Sequence, residues 1–219
     1  MLNWSEIKTV LLDMDGTLLD LHFDNFFWLE YLPQVYSSTF DITHADAIDY
    51  LHKRFADEQG TMSWYCLDYW TEQLQIDIAG LKKDVEVKIA IRPFVEPFLQ
   101  ALKQQGKQII LVTNAHRDSL NLKMQRTQLQ DYFDVMVSSH DYGVPKEQQT
   151  LWEALQADYH FELEHTLLID DTETVLASAE NFGIRHLLTI NQPDLQKPPR
   201  VGLKYPAISH FDEIMPCDR

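Results

Sequence analysis

Residues 8–20 read KTVLLDMDGTLLD, and the fold follows from how this stretch is parsed. Residues 8–13 form a short apolar, β-branched run that ends in a carboxylate, and Gly16 follows at once: the pattern of a buried strand running into a tight turn. The same grammar recurs at QIILVTN (108–114), DVMVSS (134–139), TLLIDD (166–171) and HLLTI (186–190). Amphipathic stretches of helical period lie between them at 95–105, 117–131, 146–159 and 173–182, the last closed by Gly183. Strands alternating with helices predict an α/β fold, a Rossmann-like parallel sheet covered on both faces.

Residues 22–91 interrupt the rhythm. They are rich in Phe, Trp, Tyr and Asp, carry large apolar residues at helical spacings over 24–32, 44–57 and 63–76, and are expected to be punctuated by Pro33, Gly60 and Gly80. The predicted organisation is a core of 1–21 and 92–219 with a helical cap, 22–91, inserted after the first strand through connections near 21–24 and 90–93. Five prolines in 191–219 suggest an extended tail with little regular structure.

Composition narrows the function. The chain has 219 residues, 45% of them hydrophobic and 11% aromatic, which is ample for a core and excludes disorder as a description of the whole. With 18 Lys and Arg against 34 Asp and Glu, a formal charge of −16 repels nucleic-acid polymers and anionic membrane surfaces. Cys66 and Cys217 lack the spacing of a metal knuckle or a redox pair. Glu6 and Lys8 interrupt the N-terminal stretch where a signal peptide needs apolar residues, so the expectation is a cytoplasmic protein.

In an open parallel sheet, ligands bind beyond the carboxyl ends of the strands. Asp13 and Asp15 follow the first strand, Thr113 and Asn114 end the second, Lys146 comes after the third, and Asp170 and Asp171 close the fourth. A lysine among acids at one edge suits a metal and a phosphate together. Asp13 and Asp15, two apart in extended chain, point to one face and can flank a phosphoryl group. Gly16 lets backbone N–H groups approach the anion. An EF-hand loop is excluded because its Gly would stand three residues beyond the second acid, not directly after it. Pro145 suits a first helical turn, which would set Lys146 at a helix N-terminus.

DMDGTLLD at 13–20, followed in order by Thr113, Lys146 and the acidic pair at 170–171, resembles the four signatures of the haloacid dehalogenase superfamily. The resemblance implies Asp13 as nucleophile and Asp15 as general acid and base, with Thr113, Asn114 and Lys146 binding the phosphoryl group. It also implies Mg²⁺ held by Asp13, the Asp15 carbonyl and Asp171, with Asp170 holding a metal-bound water. Thr172 replaces the usual Ser of the fourth signature. Asp15 favours phosphoryl transfer over dehalogenation; a phosphonatase would need a Schiff-base lysine, and Lys53, Lys82, Lys83 and Lys88 are expected to lie in no apolar setting that would depress a pKa. A sugar-phosphate phosphatase, a phosphomutase and a catalytically silent binding module stay open alternatives.

At closer range VLLDMDGTLLDLHFDNFFW, WYCLDYWTEQL, LVTNAH, GVPKE and LLIDDTETVLASAENFGIR are similar to the bacterial 5′-nucleotidases of GMP and IMP. Their small-molecule phosphate monoesters would then be the substrates, with Trp64, Tyr65, Asp68 and Tyr69 as cap residues facing the base. His22, His116 and Arg117 are expected near the site in structural or surface roles.

Overall fold

The computed structural model describes residues 2–216. Its sheet has the order β3-β2-β1-β4-β5-β6, formed by β1 (Thr9–Leu12), β2 (Gln108–Thr113), β3 (Val135–Ser138), β4 (Thr166–Ile169), β5 (His186–Ile190) and β6 (Ala207–Ile208). Every pairing is parallel. The chain steps outward from β1 through β2 to β3, then returns to the other side of β1 as β4. That reversal opens a crevice beyond the ends of β1 and β4.

Side-chain alternation distributes the strands between two apolar clusters. Val10, Leu12, Ile109 and Leu111 pack with Phe98 and Leu102 of α7 (Val95–Gln104) and Leu120 of α8 (Arg117–Thr127). Leu11, Ile110 and Val112 face the opposite way, against Trp152 of α9 (Gln149–Tyr159) and Leu176 of α10 (Glu173–Phe182). A third cluster, with Phe27, Leu51, Phe55 and Trp70, lies within the helical segment between β1 and α7.

That segment comprises α1 (His22–Phe26), α2 (Leu32–Phe40), α3 (His44–Glu58), α4 (Met62–Tyr65), α5 (Leu67–Leu74) and α6 (Ile78–Asp84). Two of its expected breaks are not breaks. Pro33 lies in the first turn of α2, and a π-helical turn, Phe27–Tyr31, directly before it loosens the carbonyl its ring would strike. Gly80 sits inside α6, where its N–H bonds Asp77 Oδ1 at 3.0 Å and a Cβ would stand 2.4 Å from Asp77 Oδ2. The segment leaves and returns through adjacent strands of chain: Asp20 N–H donates to Ala90 O at 2.9 Å and Arg92 N–H to Leu18 O at 3.0 Å.

The expected tail is more ordered than its prolines suggested. Ala207–Ile208 joins the sheet beside β5, and a 3₁₀ turn, Phe211–Ile214, packs Phe211 into the core. Buried Arg92 fastens the tail by donating to Gln192 O, Pro193 O and Ser209 O at 2.7, 2.9 and 3.0 Å. Residues 217–219, with Cys217, lie outside the described residues.

Phe98 is fully buried, with ring centroids 5.9 Å from Trp4 and 4.7 Å from Phe211. Phe98→Ala should cost about 3–5 kcal/mol in urea unfolding; a loss below about 1 kcal/mol would mean that this cluster does not anchor the sheet.

Candidate functional site

The carboxyl ends of β1 and β4 bring Asp13 and Asp170 side by side, since Leu12 is in register with Ile169 and Asp13 N–H donates to Ile169 O at 3.0 Å. Between them sits Lys146, whose Nζ lies 2.5 Å from Asp13 Oδ1, 2.7 Å from Asp170 Oδ2 and 3.2 Å from Val112 O. Lys146 does not occupy a helix N-terminus as Pro145 suggested: α9 begins at Gln149 and Lys146 belongs to the preceding turn. Asn114 fixes that turn, accepting from Lys146 N–H at 2.9 Å and donating to Glu147 Oε2 at 3.0 Å. The Asn114 side chain thus braces the lysine loop, and the residue also lines the cavity.

Asp171 lies beside this pair, and one oxygen each from Asp13, Asp170 and Asp171 fall within 4.8 Å of one another. Gly16, at φ +80°, makes the approach possible, because a Cβ there would stand 2.7 Å from Asp171 Oδ2. Thr17 Oγ1 accepts from Asp171 N–H at 3.1 Å, tying the two loops together. Thr113 ends β2 against the same cavity, its hydroxyl accepting from Ala115 N–H at 3.0 Å.

Asp15 lines the same cavity and also enters a chain of alternating charge. Lys123 of α8 lies 2.6 Å from both Asp15 Oδ1 and Asp24 Oδ2, and Lys82 lies 2.6 Å from Asp24 Oδ1. Asp24 and Lys82 belong to the helical segment, so the chain crosses between the two parts of the molecule. None of Lys123, Asp24 and Lys82 stood out in the sequence as a site residue. Lys123 sits on a helix of weak amphipathic pattern and reads as a solvated position. Lys82 corrects an expectation outright, since it is buried with its ammonium 5.0, 4.9 and 5.5 Å from the ring centroids of Phe23, Phe27 and Trp28. Burial lowers its pKa despite the Asp24 carboxylate.

The carboxylates are unequally balanced. Burial raises the Asp13 pKa from 3.8 to about 6, opposed by Lys146 and reinforced by Asp170. Burial also raises Asp15 to about 6, with Lys123 opposing and Asp24 adding repulsion. Asp171 is pushed well above its ordinary value by burial and by the charges of Asp13 and Asp170. Asp24 goes the other way, because Lys123 and Lys82 override its burial. Lys146 stays a firm ammonium: burial disfavours the charge, but Asp13 and Asp170 more than offset it. Five acids (Asp13, Asp15, Asp24, Asp170, Asp171) thus face three ammoniums (Lys82, Lys123, Lys146), a deficit of two positive charges that suits a divalent cation.

Above these charges opens a cavity of about 340 Å³. Its far wall is aromatic, formed by Trp28, Phe55, Trp64 and Trp70 packed edge to face, with the Trp70 indole donating to Trp64 O at 2.9 Å. Of the four expected contacts from the helical segment, Trp64 and Tyr65 line the cavity. Asp68 and Tyr69 do not: Asp68 is exposed beside His116, and the Tyr69 hydroxyl donates to Glu58 at 2.5 Å. Trp28 is the lining residue that the sequence pattern hid among core aromatics. His116 also lines the cavity, whereas His22 lies 3.8 Å from Asp194 and Arg117 pairs with Asp141.

Residues 7–183 match the family described as haloacid dehalogenase-like hydrolase. The chain belongs to the haloacid dehalogenase-like hydrolases. It is 41% identical over 213 residues to the GMP/IMP nucleotidases YrfG of Escherichia coli (strain K12) and of Shigella flexneri, covering 97% of this chain and 96% of each relative. The fold of this haloacid dehalogenase-like hydrolase is similar to that of a HAD phosphatase from Thermococcus onnurineus, with a TM-score of 0.80 and 20% identity over 94% of this chain and 95% of that one. Hydrolases of the family generally use Mg²⁺, and a carboxylate cluster of the right chemistry is present here. Among the described residues no helix is long and apolar enough to cross a membrane.

The raised acids set a pH dependence. Asp13 and Asp15 bind protons more tightly folded than unfolded, so in metal-free protein their stability penalty is full above pH 6 and is relieved as pH falls toward 3.8. Asp24 has the opposite sign and withdraws stability only as pH falls below its unfolded value, about 3.9. EDTA-treated protein should therefore melt higher at pH 5.5 than at pH 8, by about 2–4 °C per kcal/mol relieved. Mg²⁺ should flatten the difference, and Asp15→Asn should shrink it; an equal slope in that variant would count against this assignment.

Proposed function

We propose that the chain is a Mg²⁺-dependent phosphatase of purine nucleoside 5′-monophosphates, GMP and IMP, acting through an aspartyl phosphate on Asp13. The observation that carries the reading is the pairing of a charged floor, with Asp13 clamped by Lys146, and an aromatic wall that includes Trp28 and Trp64 in the same cavity. Identity of 41% along nearly the full length of GMP/IMP nucleotidases supports the substrate class.

In this reading residues 1–21 and 92–219 form the catalytic domain and 22–91 a cap that selects the leaving group. Lys146 keeps the Asp13 carboxylate oriented and ionised for attack on phosphorus. The P–O bond to the nucleoside breaks as Asp15 delivers a proton to the departing 5′ oxygen. Asp15 then takes a proton from the water that opens the acyl phosphate, a double duty suited to a pKa of about 6. Thr113 donates its hydroxyl to a phosphoryl oxygen, and Lys146 balances charge in the transition state. Mg²⁺, when bound, neutralises the phosphoryl oxygens against the Asp13 carboxylate. Asp171 is the freer ligand, because Asp170 spends one oxygen on Lys146 and the other on Thr172 N–H at 2.9 Å. The Asp15 carbonyl completes the protein's share.

Asp13→Asn should fold normally and lose turnover entirely; near-normal activity would sink the mechanism. Asp15→Asn should lose ~10²–10⁴-fold on GMP but less on p-nitrophenyl phosphate, whose leaving group needs no proton. Equal losses would remove Asp15 from the acid role.

The cap is tested by substrate contrast. Trp64→Ala should raise KM for GMP and IMP roughly tenfold or more, given about 1–3 kcal/mol for base stacking, while sparing p-nitrophenyl phosphate. Tyr69→Phe, away from the cavity, should change neither. A wild-type preference for sugar phosphates over purine nucleotides would overturn the substrate assignment.

A further inference from the structure

A second group of metal-ligating side chains lies across the junction between the cap and the core. Cys66, His116 and His140 bring one sulfur and two ring nitrogens within 4.8 Å of one another. Cys66 ends α4 on the cap, His116 caps α8, and His140 lies in the 3₁₀ turn Ser139–Asp141 after β3. Distant segments supply the set, so the cysteine spacing in the sequence does not reveal it.

Three features of the geometry point to an ion. His140 Nε2 is buried and makes no well-formed hydrogen bond, the carbonyls of Asn114 and Tyr65 being the ring's polar neighbours, and a metal bond would answer it. His116 Nδ1 accepts from Asp118 N–H at 3.4 Å, which fixes the ring and turns Nε2 toward the cap, where Asp68 Oδ2 lies 3.6 Å away. The two imidazoles stand edge to face with centroids 5.0 Å apart.

We propose that Cys66, His116 and His140 bind Zn²⁺, with water in the fourth position, and that this ion fastens the cap to the core. One thiolate and two imidazoles select Zn²⁺ over Mg²⁺, whereas the all-carboxylate group around Asp13 has the reverse preference. Zn²⁺ bound there favours the closed cap, because Cys66 leaves the site when the cap lifts. His116 also lines the cavity, but the three ligands stand whether or not GMP is the substrate.

The test uses the full-length protein, stripped of metal and held in excess Mg²⁺ to occupy the carboxylate site. Co²⁺ should give one equivalent of four-coordinate d–d absorption with a thiolate charge-transfer band. Cys66→Ser should abolish that band and Cys217→Ser should keep it. By calorimetry, Cys66→Ser and His140→Gln should each weaken Zn²⁺ binding at least tenfold, and Zn²⁺ should slow amide exchange over residues 62–74 in wild type but not in Cys66→Ser. A wild type without the charge-transfer band, or a Cys66→Ser variant with undiminished Zn²⁺ affinity, overturns the proposal. Should His140→Gln fail to fold, the Cys66→Ser and Cys217→Ser pair decides alone.

Discussion

The Lys146 ammonium, shared between the carboxylates of Asp13 and Asp170, is the constraint on which the rest of the site rests. An ammonium buried at this depth is tolerable only with close anionic partners, and two buried carboxylates side by side are tolerable only with a cation between them. Three strand ends must therefore converge to within hydrogen-bond distance, and the parallel register of β1 and β4 supplies that convergence. Even the turn before α9 is subordinate to it, since Asn114 holds that turn by both ends of its side chain. Asp171 sits outside the triad, and burial together with the charges of Asp13 and Asp170 disfavours its ionisation, a strain that a bound cation would relieve.

Asp15 is governed by a second set of charges with a different reach. The sequence of contacts Asp15, Lys123, Asp24, Lys82 carries alternating charge from the loop after β1 into the helices of the insertion. Removing Lys123 leaves Asp15 without its partner and removing Asp24 leaves Lys82 without one, so the position of the helical segment and the setting of Asp15 are linked. Tyr65 makes a further bridge, donating to Glu147 at 2.9 Å from across the cavity. The two parts are thus joined by polar contacts as well as by apolar ones, since Phe23 and Ile89 of the insertion pack into the core cluster and Val85 touches both clusters.

Much of this was legible in the residues themselves. Strands were readable because both faces of a parallel sheet are buried, so TVLL, QIILVT and TLLI are unbroken apolar runs that end where polar chemistry begins. Asp13, Thr113, Lys146 and Asp171 were readable for the same reason. Lys123 and Lys82 were not, because a lysine on a helix looks alike whether it meets water or a buried aspartate; only the tertiary contact distinguishes them. Trp28 and Trp64 were ambiguous in the same sense, as an aromatic at helical spacing fits a core and a ligand wall equally well. The helix start at Gln149 and the strand Ala207–Ile208 escaped because local proline signals were outweighed by a braced loop and by an available sheet edge.

The hydrogen bonds between Asp20 and Ala90 and between Arg92 and Leu18 make residues 21–89, which they enclose, a loop in the topological sense. Chain leaves the sheet and comes back at neighbouring points, so the insertion closes on itself whatever its length. Its helices can be lengthened or exchanged without moving a strand, provided the short two-stranded neck survives and Asp24 and Lys82 keep their places beside Lys123. Change in the roof of the cavity is thereby separated from the Lys146 triad on its floor, which takes no partner from the insertion.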